Sequence, residues 1–70
     1  MNEIPLHSSV LAGFAYDPDS QQLRLCFRTG ERYVYRMVPA AVVQAFIEAP
    51  SHGEYFNLAI RKCFRCQRLS

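Results

Sequence analysis

The stretch that most restricts the fold runs from Leu23 to Met37, LRLCFRTGERYVYRM. Its apolar and polar residues alternate, the period of a strand with one face turned to a core. Leu23, Leu25 and Phe27 share one face, and Arg24, Cys26 and Arg28 the other. Beyond Gly30 the alternation resumes, with Tyr33, Tyr35 and Met37 on one side and Arg32, Val34 and Arg36 on the opposite one. The loop length decides whether the two halves agree. A two-residue loop at Thr29-Gly30 sets Phe27 opposite Arg32 and mixes the faces. A three-residue loop, Arg28-Thr29-Gly30, sets Leu25 opposite Tyr33 and Leu23 opposite Tyr35. It also puts Gly30 where such loops need a left-handed residue. The second register is expected, giving a hairpin with one greasy face and one arginine-bearing face.

The flanking segments fit around this hairpin. Residues 1–7 read as a flexible start, and 8–69 as a single domain. A first strand is expected from Ser8 to Tyr16, with Val10, Ala12, Phe14 and Tyr16 on one face and Leu11, Gly13 and Ala15 on the other. Gly13 marks a candidate bend or bulge. Asp17-Pro18-Asp19-Ser20 is a turn signal, because proline presets one dihedral and the aspartates bond nearby amides. Pro39 opens a helix whose buried stripe is Val42, Val43, Phe46 and Ile47. That helix stops before Pro50. Ser51-His52-Gly53-Glu54 has the spacing of a capping box, so a second helix can start there, with Tyr55, Phe56, Ala59, Ile60 and Cys63 inward. Phe64, Cys66 and Leu69 can add a short C-terminal extended segment to the sheet. The fold class is α+β: a three-stranded antiparallel β-meander followed by one or two short helices.

Size and charge bound the function. A chain of 70 residues buries only about 60% of its unfolded surface, so a homo-oligomer is an expectation. The net charge is +2, yet all eight basic residues fall in two clusters. Arg24, Arg28, Arg32 and Arg36 belong to the hairpin, and Arg61, Lys62, Arg65 and Arg68 crowd the last ten positions. Guanidinium suits bidentate phosphate contact and also stacks on bases. The plainer reading of the same residues is a solvated strand face that discourages edge-to-edge association. No apolar run approaches the roughly 20 residues that span a bilayer, and no basic-then-apolar leader opens the chain. A cytoplasmic protein without membrane contact is expected.

Catalytic and metal chemistry find little support in the sequence. Cys63-Phe64-Arg65-Cys66 is a single CxxC, whereas a structural zinc site needs four ligands; Cys26, His7 and His52 have no zinc spacing. A redox pair belongs at a helix N-terminus after a strand, and here it follows a helix. His7 and His52 form no dyad, and Ser8, Ser9 and Ser51 lack a nucleophile elbow. No enzyme activity, metal or cofactor is expected. Tyr33 and Tyr35 have the form of a base-stacking pair, but the hairpin register turns them to the core. Core packing is assigned to them, and to Tyr16 and Tyr55.

In order along the chain, several short motifs together resemble the KTSC domain. They are Ser8-Ser9, Phe14-Ala15-Tyr16-Asp17, Leu23-x-Leu25-x-Phe27-x-x-Gly30, Tyr33-x-Tyr35, Val38-Pro39, and Ser51-x-Gly53-x-Tyr55-Phe56-Asn57 with Ile60-Arg61. That family is found as small bacterial proteins and as a C-terminal extension of some lysyl-tRNA synthetases. The resemblance spans Ser8 to Leu69. It implies an Sm-like small-barrel variant and RNA as a partner; the residues themselves make the chain a non-catalytic module with Arg24, Arg28, Arg32, Arg36, Arg61, Lys62, Arg65 and Arg68 as the candidate contacts. Ser51, Gly53, Tyr55, Phe56 and Asn57, like Tyr33 and Tyr35, are read as structural family positions. The alternative is a protein-interaction or self-assembling module with no nucleic-acid role. The segment Cys63-Phe64-Arg65-Cys66 stands where relatives read like Arg-Tyr-Pro-Tyr, so the CxxC is set aside as a local departure.

Overall fold

The three-residue loop between the hairpin strands sets the register of the whole sheet. In the computed structural model, which describes residues 3–69, β3 (Gln22–Phe27) and β4 (Arg32–Tyr35) pair with Leu23 opposite Tyr35, Arg24 opposite Val34, Leu25 opposite Tyr33 and Cys26 opposite Arg32. Phe27 N–H donates to Glu31 O at 2.9 Å, and Gly30 N–H donates back to Phe27 O at 2.9 Å. Gly30 has φ 96°, the left-handed conformation that only glycine adopts without strain. This is the register expected from the alternation.

The sheet has five antiparallel strands in sequential order rather than three. Strand β1 (Ile4–Pro5) pairs with β2 (Leu11–Asp17), and β5 (Cys66–Arg68) pairs with β4. Of the expected loose start, residues 4 and 5 thus form an edge strand, while residues 1 and 2 lie outside the described residues. The terminal extended segment forms as expected, with Tyr35 opposite Cys66 and Tyr33 opposite Arg68. Among the described residues β1 and β5 are the two edges and do not pair with each other, so the sheet is open and no barrel closes there.

Three side-chain assignments in and around the sheet differ from the expectation. The pairing of β2 with β3 shifts between Leu11 and Gly13, so Leu11 comes opposite Phe27 and is fully buried in the core. One extra residue at a bulge inverts face parity for everything before it. Val10, placed on the Phe14 face by the alternation, is consequently exposed. Gly13 is needed there for a second reason: a Cβ would lie 2.9 Å from Ile4 O of the edge strand. Met37, expected on the tyrosine face, has φ 58° and is 76% exposed. The chain leaves the sheet at that point, and Val38 is buried in its stead, its N–H donating to Gln21 O and its carbonyl accepting from the Tyr16 hydroxyl at 2.6 Å.

Both helices pack on one face of the sheet. Helix α1 (Ala40–Glu48) follows Pro39, which sits at the N-cap with extended backbone, one position earlier than expected. It buries Val43 and Phe46, and Phe46 meets Phe14 of β2 edge-to-face with centroids 5.7 Å apart. Ile47 turns outward and is 44% exposed, so the buried stripe is narrower than the sequence spacing indicates. Helix α2 (His52–Tyr55) starts at Ser51, whose Oγ accepts from Glu54 N–H at 3.3 Å. It runs directly into a π-helical turn (Phe56–Ile60), closed by Arg61 N–H donating to Phe56 O at 2.8 Å. Phe56 and Ile60 are buried as expected; Tyr55 and Ala59 are half-buried, and Cys63 is exposed because the helical run ends before it.

Tyr35 belongs to this core, 3% exposed and edge-to-face with Phe56 at 5.7 Å. Burial pushes its hydroxyl pKa from 10.0 up to about 12, and the adjacent Cys66 thiol acts in the same direction.

Two outcomes follow. Phe46→Ala removes a fully buried ring and its aromatic partner contact, and should cost about 3–5 kcal/mol, read as a large fall in the urea midpoint. Because the Tyr35 pKa is raised in the folded state, its contribution is fully present below the unfolded value near pH 10 and is lost as pH rises toward about 12. Urea titrations across that window should show stability falling, and the fall should be smaller in Tyr35→Phe.

Candidate phosphate-binding face and an aromatic cavity

The residues that alternate with the core side chains form the outer face of the sheet. Register places Ala15, Arg24, Val34 and Gln67 in one row across it, with Gly13, Cys26 and Arg32 in the next. Helix α1 contacts the opposite face at Phe14, and the π turn contacts it at Phe27 and Tyr35 through Phe56. Ala15 and Val34 are nevertheless only 2% and 6% exposed. Arg24 stands between them in the register and is half-buried, its Nε lacking an acceptor among the described residues. An arginine covers apolar surface with its methylene stem while its guanidinium remains at the water boundary.

This face collects four of the eight sequence-predicted basic residues. Arg32 is exposed one row from Arg24. Arg36 N–H donates to Arg65 O at 2.9 Å, and its Nη2 donates to Gln67 Oε1 at 2.7 Å. Arg36 and Arg65 line a groove of about 460 Å³ that also includes Ser20, Gln22 and Phe64. None of Arg24, Arg32, Arg36 and Arg65 forms an ion pair among the described residues.

The other four basic residues go elsewhere. Arg28 folds back onto the chain preceding β2: Nε donates to Ser8 O at 2.8 Å and Nη2 to Leu6 O at 3.0 Å. Its guanidinium fastens the N-terminal segment to the hairpin. Arg68 pairs with Glu31 at 3.5 Å. Lys62 is exposed beyond the π turn, and Arg61 borders a cavity on the other side of the sheet.

That cavity, of about 410 Å³, lies between β4 and the π turn. Val10 and the rings of Phe27, Tyr33, Tyr35 and Phe56 wall it. Phe27 meets Tyr33 and Phe56 edge-to-face at 5.6 and 5.4 Å. Asn57, Arg61, Glu31 and Cys66 supply its polar groups. Asn57, read from the sequence as a structural position, is exposed and its side-chain amide makes no hydrogen bond among the described residues. Tyr33 and Tyr35 pack as expected and in addition present this wall. The cavity escaped sequence reading because it joins β4 to a helical turn some 20 positions away. Ser51 and Gly53 line a separate cavity of about 470 Å³ beside His7 and Ser8. The two cysteines of the CxxC border different spaces: Cys66 faces the aromatic cavity and Cys63 the arginine groove.

Comparison with known proteins places this architecture. The KTSC domain matches residues 7–64. A protein of Stutzerimonas stutzeri is 46% identical over 57 residues, covering 81% of this chain and 80% of its own length. A lysine–tRNA ligase of Nostoc is 37% identical over 62 residues; the match covers 89% of this chain and 11% of the ligase. The crystal structure of a KTSC domain protein from Yersinia pestis superimposes with a TM-score of 0.95 at 33% identity, covering 99% of this chain and 97% of that one. The family match and the superposition agree, and the chain belongs to the KTSC domain family.

Proposed function

We propose that this domain is a non-catalytic module that holds RNA through phosphate contacts on the outer face of its sheet. The observation that carries the reading is the placement of Arg24, Arg32, Arg36 and Arg65 on one face with no carboxylate paired to any of them among the described residues. A related stretch in lysine–tRNA ligases supports RNA as the polyanion. Arg28 and Arg68 are engaged within the fold and contribute field rather than direct contacts; Lys62 extends the positive surface. A phosphate-reading face of this kind recognises backbone more than sequence.

A second reading is a protein-docking or self-assembling module. The open edge at β5 and the exposed Leu58 favour it.

Fluorescence anisotropy of labelled single-stranded and duplex RNA at several salt concentrations separates the two. Four phosphate contacts to a single strand give a log–log salt slope of about −3, at about −0.7 per contact. Replacing Arg24, Arg32, Arg36 and Arg65 together by Gln should abolish the salt-dependent binding while the circular-dichroism spectrum is retained. Unchanged affinity in that variant would remove the assignment. Absence of RNA binding at low salt, with a concentration-dependent oligomer in sedimentation, would favour docking.

A further inference from the structure

The cavity between β4 and the π turn carries chemistry that a packed core does not use. Its walls are the rings of Tyr33, Tyr35, Phe27 and Phe56, which meet one another edge-to-face. Tyr35 and Phe56 are almost fully buried, whereas Phe27 and Tyr33 are half-buried, so Phe27 and Tyr33 supply the accessible aromatic surface, and such a surface favours a flat aromatic partner. A volume of about 410 Å³ lies at the small end for ligand sites, so it suits one planar group and its substituent.

The polar groups sharpen the class. The Asn57 side chain offers a donor and an acceptor together, and neither is engaged among the described residues. This is the complement of a base edge bearing adjacent amino and ring-nitrogen groups. The Arg61 guanidinium likewise has no carboxylate or carbonyl partner among the described residues. Glu31, the one carboxylate on the cavity, is held by the Thr29 hydroxyl at 3.1 Å and by Arg68 at 3.5 Å. Arg61 is therefore the uncommitted charge, and it selects an anion. The π turn presents Asn57 and Arg61 to the same space while Phe56 and Ile60 stay in the core.

From these groups together we propose that the cavity binds a single nucleotide. The base lies against the Phe27 and Tyr33 rings, Asn57 pairs with its edge, and Arg61 takes the phosphate. The site is on the opposite side of the sheet from Arg24, Arg32, Arg36 and Arg65, so it stands or falls separately from the RNA-binding reading.

The test is a titration of the ¹⁵N-labelled full chain with AMP, with adenosine and with benzoate, followed by amide shifts. AMP should give saturable shifts at Tyr33, Asn57 and Arg61, with adenosine at least tenfold weaker and benzoate silent at the same concentrations. Arg61→Gln should reduce AMP affinity to that of adenosine, and Asn57→Ala should weaken both. Both positions are exposed, and matched thermal melts confirm the variants are folded. The variant lacking the four outer-face arginines should bind AMP as the parent does. Absence of shifts at millimolar AMP, benzoate binding as well as AMP, or shifts confined to Arg24, Val34 and Arg36 would each overturn the proposal.

Discussion

A single left-handed glycine in a three-residue loop governs the arrangement of side chains throughout this domain. With Gly30 at φ 96°, Phe27 and Glu31 close the hairpin, and every pair beyond them inherits that register. Leu23, Leu25, Tyr33 and Tyr35 then fall on the face that receives Phe46 and Phe56, while Arg24, Arg32 and Val34 fall on the other. A loop shorter by one residue would set an arginine against the aromatic core, where an unpaired charge is not tolerated. The sheet's two faces are thus separated by a count of residues rather than by any specific attraction.

What was legible in the sequence follows from that logic. The hairpin register, the helix after Pro39 and the cap at Ser51 were readable because each depends on local spacing. Leu11 was misplaced because a bulge inverts parity, and only Gly13 signals it. Strand β1 has two residues and β5 three, too few for a periodic pattern, so their pairing depends on tertiary context. Met37 continued the alternation in sequence, yet its backbone turns left-handed and Val38 fills the core instead. The Sm-like barrel expected from the family resemblance gives way to an open sheet with β1 and β5 at opposite edges.

The candidate sites were legible in composition but not in assignment. Nothing near Arg28 distinguishes it from Arg24, since the carbonyls it bonds, Leu6 and Ser8, lie 22 and 20 positions away. Arg65 joins the hairpin face only because β5 returns alongside β4. The aromatic cavity likewise needs Tyr33 and Tyr35 to meet Asn57 and Arg61 across the molecule. Local sequence supplies the chemical groups, and the crossing of distant elements decides which of them share a space.

The outer face also shows why arginine suits this sheet. Ala15 and Val34 are buried on the face opposite Phe14 and Tyr35, and the long side chain between them in the register is Arg24. An arginine can pack its methylenes on such a row while its head group reaches toward water, and here the Arg24 Nε is itself buried without an acceptor among the described residues. One residue can therefore close an apolar row and still present charge to a polyanion. Loss of such a residue would uncover part of that apolar row as well as remove a proposed phosphate contact. A fall in RNA affinity on changing Arg24 alone therefore mixes packing with charge. The salt slope isolates the charge, because released counterions report phosphate contacts, whereas the urea midpoint reports the uncovered apolar row.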